Sequence, residues 1–202
     1  MAVTFAERLL QKAHELGFDL AGIVPAGPAP HANEFSAWLA NGHAGEMAYM
    51  SRTAEKRREA RLAFPGVRSI VVLGWNYHLR ELPEEVRRDP ARGLIASYAW
   101  GDDYHDVLRP LLEELADFAH RESGGIATAR AYVDTGPVLE RDWAAAAGLG
   151  FIGKNTCFIR PRSGSWLFLA EILLDVELEP SVMETEARRL STRPQETAGT
   201  CG

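Results

Sequence analysis

The residues best placed to do chemistry lie between Tyr132 and Asp175. One acid, Asp134, follows an extended segment and precedes the turn Thr135-Gly136-Pro137. It reads as the end of a strand. Pro137 suits the first position of a helix, because its missing N–H is not needed there. Val138, Leu139, Trp143 and Ala146 then supply an apolar helix face, and Gly148 a stop. An acid at such a corner has two uses. It can cap the helix, or it can face a cleft and deliver a proton. These residues by themselves leave both open.

The glycines that follow resemble two nucleotide motifs. Gly148-x-Gly150-x-x-Gly153 has the dinucleotide spacing, and Gly148-x-x-x-x-Gly153-Lys154 nearly has that of a P-loop. Both motifs need a strand before the glycines and a helix after, because the helix N-terminus holds the phosphate. Here the predicted order is reversed, with a helix before and Thr156-Cys157-Phe158-Ile159 after as a strand. Asn155 also stands where a P-loop places its Mg²⁺-binding hydroxyl. The glycines therefore serve close backbone approach or tight turns.

Several elements must position these residues. Thr4 to Leu16 reads as an amphipathic helix with Phe5, Leu9, Ala13 and Leu16 on one face. Asp19 to Val24 reads as a strand. Asn33 is placed to cap a short helix carrying Phe35, Trp38 and Leu39. Arg52 to Arg61 holds five basic residues and two acids. That run is either a solvated helix face with i,i+4 pairs, or a source of one or two arginines for an anionic ligand. Ser69 to Tyr77 is continuously apolar, as a central strand covered on both faces should be. Leu79 to Gly93, charged and proline-containing, reads as a loop. Asp102 or Asp103 caps a helix with Val107, Leu108, Leu111, Leu112, Leu115 and Phe118 on its apolar face, ended by Gly124-Gly125. Ala129 to Asp134 is a strand. Trp166 to Leu178 is apolar without a deciding period, so helix and strand both remain open there.

The chain has 202 residues, enough for one domain with a sizeable core. A net charge of −6 and a pI near 5.6 argue against strong nucleic-acid binding by this chain alone. Cys157 and Cys201 cannot form a disulfide framework or a four-cysteine metal site. Charges interrupt the N-terminus, so no signal peptide is expected, and no stretch approaches a membrane span. A cytoplasmic protein is expected. No metal site is predicted. Beyond Glu179 the sequence turns polar and reads as a linker or disordered tail.

Taken together, the motifs resemble the N-terminal part of the epoxyqueuosine reductase family. The matching stretches are W-L-A-N-G-H-A-G-E-M-A-Y-M (38–50), E-K-R (55–57), S-Y-A-W-G-D-D-Y-H (97–105), V-D-T-G-P-V-L-E (133–140), A-G-L-G-F-I-G-K-N-T (147–156) and G-S-W-L-F-L-A-E-I-L (164–173). Their number and order, running nearly to Leu178, make the resemblance specific.

The resemblance implies an α+β, nitroreductase-like domain over residues 1–178, a mixed sheet flanked by helices that cradles cobalamin. It implies reduction of epoxyqueuosine to queuosine in tRNA. Asp134 takes the family's proton-donor role, and an acid walled in by a corrin and apolar groups keeps its proton more readily. Arg57, Ser97, Asp134, Asn155 and the segment Ser163 to Trp166, including Ser165, fall in motifs that line the corrin. The family continues into cysteines that hold two [4Fe–4S] clusters. This chain reaches Gly202 near where the first would fall, so residues 179–202 are expected to be a linker toward that segment. The chain is then expected to be a fragment or stand-alone cobalamin domain that needs an outside electron donor. Its tRNA affinity is expected mainly from the part beyond it. Cys157 is expected to be a buried, small apolar residue.

Asp103-x-His105 opens like the D-x-H-x-x-G motif that gives cobalt a histidine ligand, but Leu108 occupies the glycine position. Helix capping by Asp103, with Tyr104 and His105 packing or touching the ligand, fits better. Two other functions stay in play: a non-catalytic corrinoid-binding module, and a flavin-binding nitroreductase relative.

Overall fold

A capping box starts the chain's first helix, α1 (Phe5–Glu15). The Glu7 amide donates to Thr4 Oγ1 (3.2 Å) and the Thr4 amide to Glu7 Oε2 (2.7 Å), satisfying two otherwise orphaned donors. In the computed structural model, residues 3–78 and 80–181 are described. After α1 come β1 (Leu20–Pro25), α2 (Ala32–Ala40), α3 (Ala48–Arg52), α4 (Ala54–Arg58), α5 (Ala60–Ala63) and β2 (Ser69–Asn76). The second half holds α6 (Glu84–Arg87), a 3₁₀ turn (Ser97–Ala99), α7 (Tyr104–Glu122), β3 (Ala129–Val133) and α8 (Glu140–Ala146). It closes with β4 (Phe151–Ile152), β5 (Phe158–Ile159) and β6 (Leu167–Leu174).

The main sheet has the order β1-β2-β6-β3, and each of its three pairings is antiparallel. The α+β class with flanking helices holds, but the sheet is not mixed in direction. Strands β2 and β3 run the same way, and β6 lies between them, so no parallel pair forms. Alternation along the strands splits the core into two faces. Val71, Leu73, Ala170, Ile172 and Leu174 pack with α1 and α7. Ile70, Val72 and Leu173 pack with Trp143, Ala144 and Ala147 of α8 and its C-cap, and with Ala60 and Ala63 of α5. β4 and β5 form a separate hairpin below α8.

Several local expectations change for identifiable reasons. The helix after Asp134 begins at Glu140, not Pro137. In a helix started at Pro137, Val138 O would accept from the Asp142 amide; here it accepts from Arg57, and that amide turns to Leu139 O. Asp134 therefore caps nothing. Asn33 lies inside α2, whose N-cap is His31, because Asp142 Oδ2 accepts from the His31 amide. The Arg52 to Arg61 run is three short helices rather than one face, since Glu59 is extended and bridges to Pro28. A single turn, α6, interrupts the expected loop after Leu79, and Val107 is exposed rather than on the buried face of α7. Asp103 caps α7. Trp166 to Leu178 resolves as strand β6. Cys157 is exposed at the hairpin turn, not buried in a strand. Ser181 still exchanges hydrogen bonds with Ile23; the rest of the expected tail, with Cys201, lies outside the described residues.

Leu115 holds α7 to the sheet and is fully buried. Leu115→Ala should cost about 2–5 kcal/mol through lost transfer energy and a cavity. The check is a lower denaturant midpoint at unchanged slope. A shift within about 0.5 kcal/mol, ordinary for surface sites, would mean that α7 is not anchored there.

Candidate active site

Asp134 sits one residue beyond β3 with φ of 56°. This left-handed backbone is uncommon for a residue with a Cβ and reverses the chain sharply. The turn is tightly packed. A Cβ on Gly136 would lie 2.5 Å from the Tyr132 ring, so only glycine fits there. Arg57, buried on α4, reaches across and donates through Nη1 to Val138 O (2.9 Å) and through Nε to Thr53 Oγ1 (3.0 Å). The Asp134 side chain is 63% exposed. Its Oδ2 accepts from the Tyr104 hydroxyl at 2.7 Å, and His105 Nε2 lies 3.8 Å away.

Tyr104 is itself fixed from two sides. Its ring stacks on Phe168 of β6 at 4.2 Å and on His105 at 4.1 Å. Phe168 packs against Tyr77, which meets Trp166, and Trp166 stacks on His78. These rings make an aromatic ledge at the end of the sheet. Burial, followed by the bond to Asp134, raises the Tyr104 pKa, so this hydroxyl keeps its proton and remains a donor. Asp103 Oδ1 takes the His105 amide and faces Nδ1 at 2.8 Å. Among the described residues, neither His105 Nε2 nor His78 Nδ1 has a hydrogen-bond partner.

Two clefts meet at this point. The larger, about 580 Å³, is lined by Phe35, Trp38, Tyr49, Met50, Arg57, Asp134, Glu140, Arg141 and Thr156, among others. The smaller, about 440 Å³, is lined by Trp75, Tyr77, Arg80, Ser97, Tyr98, Trp100, Tyr104 and Phe168. Tyr104 lines one and Asp134 the other, so their hydrogen bond spans the divide.

Two carboxyl groups lie behind Asp134. Glu140 opens α8 and lines the larger cleft, but its Oε1 is sealed from solvent, without a hydrogen-bond partner among the described residues. Glu171 is fully buried in β6, register-paired with Val72 and Tyr132, and neither of its oxygens has a hydrogen-bond partner among the described residues. Burial, then the charge of Asp134, pushes Glu140 up to about 8, against the opposing pull of Arg57 and Arg141. Burial and the neighbouring Glu140 push Glu171 up as well.

The residues singled out in the sequence divide as follows. Asp134 and Arg57 share the larger cleft, and Ser97 lines the smaller. Trp166 joins the aromatic ledge. Asn155 shapes the β4–β5 turn, accepting from the Cys157 amide at 3.1 Å. Ser163 and Ser165 are exposed on the loop into β6. Glu140 and Glu171 went unassigned in the sequence. The signal for Glu171 was a lone acid inside L-F-L-A-E-I-L-L, where a charge has no place on a covered strand.

Known proteins are similar to this chain in sequence and fold. A family model described as epoxyqueuosine reductase QueG, DUF1730, matches residues 57–135. The epoxyqueuosine reductase of Gloeobacter violaceus is 41% identical over 201 residues, covering 96% of this chain and 60% of that protein. That of Synechocystis sp. is 39% identical over 161 residues. Over nearly its whole length the chain is similar to epoxyqueuosine reductases. It spans between about half and 60% of the length of these family members. A crystal structure of a family enzyme with an epoxyqueuosine-modified tRNA-Tyr stem loop superposes with a TM-score of 0.72 at 32% identity. It covers 87% of this chain and 46% of that one. The Bacillus subtilis enzyme superposes at 0.73 and 26% identity, over 97% of this chain and 49% of that one. The catabolic reductive dehalogenase NpRdhA, at 13% identity and a TM-score of 0.55, shares the fold alone. Among the described residues, no helix is long and apolar enough to cross a membrane.

The raised Glu140 pKa has a consequence for stability. A buried acid held neutral contributes fully below the usual carboxylate range, and its contribution is lost as pH rises through about 8. Melting temperature should therefore fall between about pH 5 and about pH 8, with Glu171 adding in the same sense. Glu140→Gln should flatten that slope. Parallel slopes for the two proteins in thermal melts would contradict the assignment.

Proposed function

We propose that this chain is the cobalamin- and substrate-facing part of an enzyme that reduces epoxyqueuosine in tRNA to queuosine. The observation that carries this reading is Asp134, a carboxyl on a left-handed turn, bonded to Tyr104 where two clefts meet. The family relative solved with a modified tRNA stem loop supports the substrate. The Bacillus subtilis relative, described with an aspartate catalytic loop swung out of the active site, supports an acid on a turn in that role.

The residues present fit cobalamin. The corrin is a broad ring with a rim of amides, and the ledge of Tyr77, Phe168 and Trp166 offers flat apolar contact beside two unpartnered imidazole nitrogens, His78 Nδ1 and His105 Nε2. Ser97 would hold it from the smaller cleft and Arg57 from the larger, with Trp166 on the ledge, Asn155 and the Ser163 to Ser165 loop as further contacts. When bound, cobalamin supplies the two reducing electrons. The electrons enter from an outside donor or from [4Fe–4S] clusters of the kind the family carries beyond this region.

The protein's own part is acid catalysis. Converting an epoxide to an alkene removes the oxygen as water and consumes two protons. Asp134, within reach of the larger cleft, protonates the departing oxygen. Tyr104 Oη holds the carboxyl in place and stabilises it once the proton has gone. Arg57 fixes the turn by its bond to Val138 O.

Titration with cob(II)alamin, followed by visible absorption and EPR, should show binding without a protein nitrogen on cobalt. Histidine coupling in the EPR spectrum would make His105 a ligand instead. Flavin binding with no cobalamin binding would favour the nitroreductase alternative. In the full-length enzyme, Asp134→Asn should retain cobalamin and lose about 10²–10⁴ in turnover, the usual worth of a positioned acid. Cofactor binding without turnover by the wild type, supplied with a reductant, would favour a non-catalytic corrinoid module.

A further inference from the structure

The larger cleft holds more acid than one proton donor requires. Glu171 is fully buried, in a strand otherwise made of apolar residues, and both its oxygens lack hydrogen-bond partners among the described residues. Unpaired carboxylates are not stable in such surroundings, so the group is held as the neutral acid and carries a proton. Glu140 adjoins it on one side and lines the Asp134 cleft on the other. Three acids thus run inward from the cleft to the sheet.

We propose that Glu140, with Glu171 behind it, is an internal proton store that recharges Asp134 within a single turnover. The inference rests on the epoxide-reductase reading above. Breaking the first C–O bond takes one proton from Asp134 and leaves a hydroxyl on the neighbouring carbon. Breaking the second forms the C=C bond and releases that hydroxyl as water with a second proton. The reduced corrinoid supplies two electrons in all. Asp134 holds one proton, and with substrate and cofactor over it the solvent is shut out. Glu140 gives its proton to the Asp134 carboxylate and becomes a carboxylate itself.

The surroundings suit that exchange. Glu140 is faced by Arg57 from α4, Arg141 from α8, Asp134 from the turn, Tyr104 from α7 and Glu171 from β6. The two arginines stabilise its ionised form. The Asp134 charge, while present, opposes ionisation and is removed by the transfer itself. Burial and the neighbouring Glu140 both favour the protonated form of Glu171, so its proton backs up Glu140 rather than leaving to solvent. Glu140 acts through Asp134 and is a positioning residue for protons, not a donor to substrate.

Infrared difference spectroscopy of this chain in H₂O and D₂O tests the store without any turnover. A protonated-carboxyl band should be present at neutral pH, bleach as pH passes about 8 and vanish in Glu140→Gln. A second band should persist there and be lost in Glu171→Gln. No protonated carboxyl at neutral pH would overturn the proposal. In the full-length enzyme with a modified stem loop, Glu140→Gln should keep cobalamin and substrate affinity. Its kcat should fall at least about tenfold and its pH profile should lose the alkaline limb, with partial rescue by Glu140→Asp. An unchanged profile while Asp134 is still required would sink the store alone. Full epoxide turnover by Asp134→Asn would sink the underlying function.

Discussion

Strand β6 pairs on both edges, and the site depends on that double pairing. With β2 on one side and β3 on the other, its register cannot slip without turning every side chain over. Phe168 is thereby committed to the α7 face and Glu171 to the α8 face. Asp134 lies at the end of β3, where the two faces meet. Tyr104 reaches it from the first face, and Arg57 and Glu140 lie toward the second. A shift of one residue would put an apolar side chain in the acid's place and a carboxylate against α1 and α7. The same hydrogen bonds that make the sheet stable therefore set the chemistry.

The turn after Asp134 shows how remote residues shape a local one. Arg57 takes the carbonyl that would otherwise begin a helix at Pro137. The chain stays irregular through Leu139, and Glu140 becomes the first helical residue, with its side chain turned into the cleft. Asp142, two residues on, anchors the N-terminus of α2 through the His31 amide and ring. One short helix thus fixes the turn, the cleft wall and the inner acid together. Guanidinium geometry matters here, because Nε and Nη1 reach two different elements at once; a lysine ammonium cannot span both.

Much of this was legible in the sequence, and the failures are instructive. The run from Ser69 was readable as a central strand because it is apolar on both faces. Asp134 stood out because it sits alone at a turn, and the motif pattern gave it a role. Arg57 was singled out by its place in a motif; nothing in the charged run itself marks the one that turns inward. The stretch after Trp166 has no period of its own; only two neighbouring strands make it a strand. Glu171 lay in plain view, but its meaning depends on register, which is a property of three strands rather than one. Asn155 was chosen by its place in a motif, and its bond to the Cys157 amide also shapes the β4–β5 turn.

Glu171 also bears on how such a domain evolves. A fully buried acid with no partner weakens the fold at every pH where it is pressed to ionise, and a leucine there would pack better. Selection for stability alone has no use for a carboxyl at the centre of a sheet. Its presence marks a position where the fold's robustness and the site's needs pull in opposite directions. Libraries screened only for heat resistance would discard this residue early, along with whatever the interior acid contributes to the reaction.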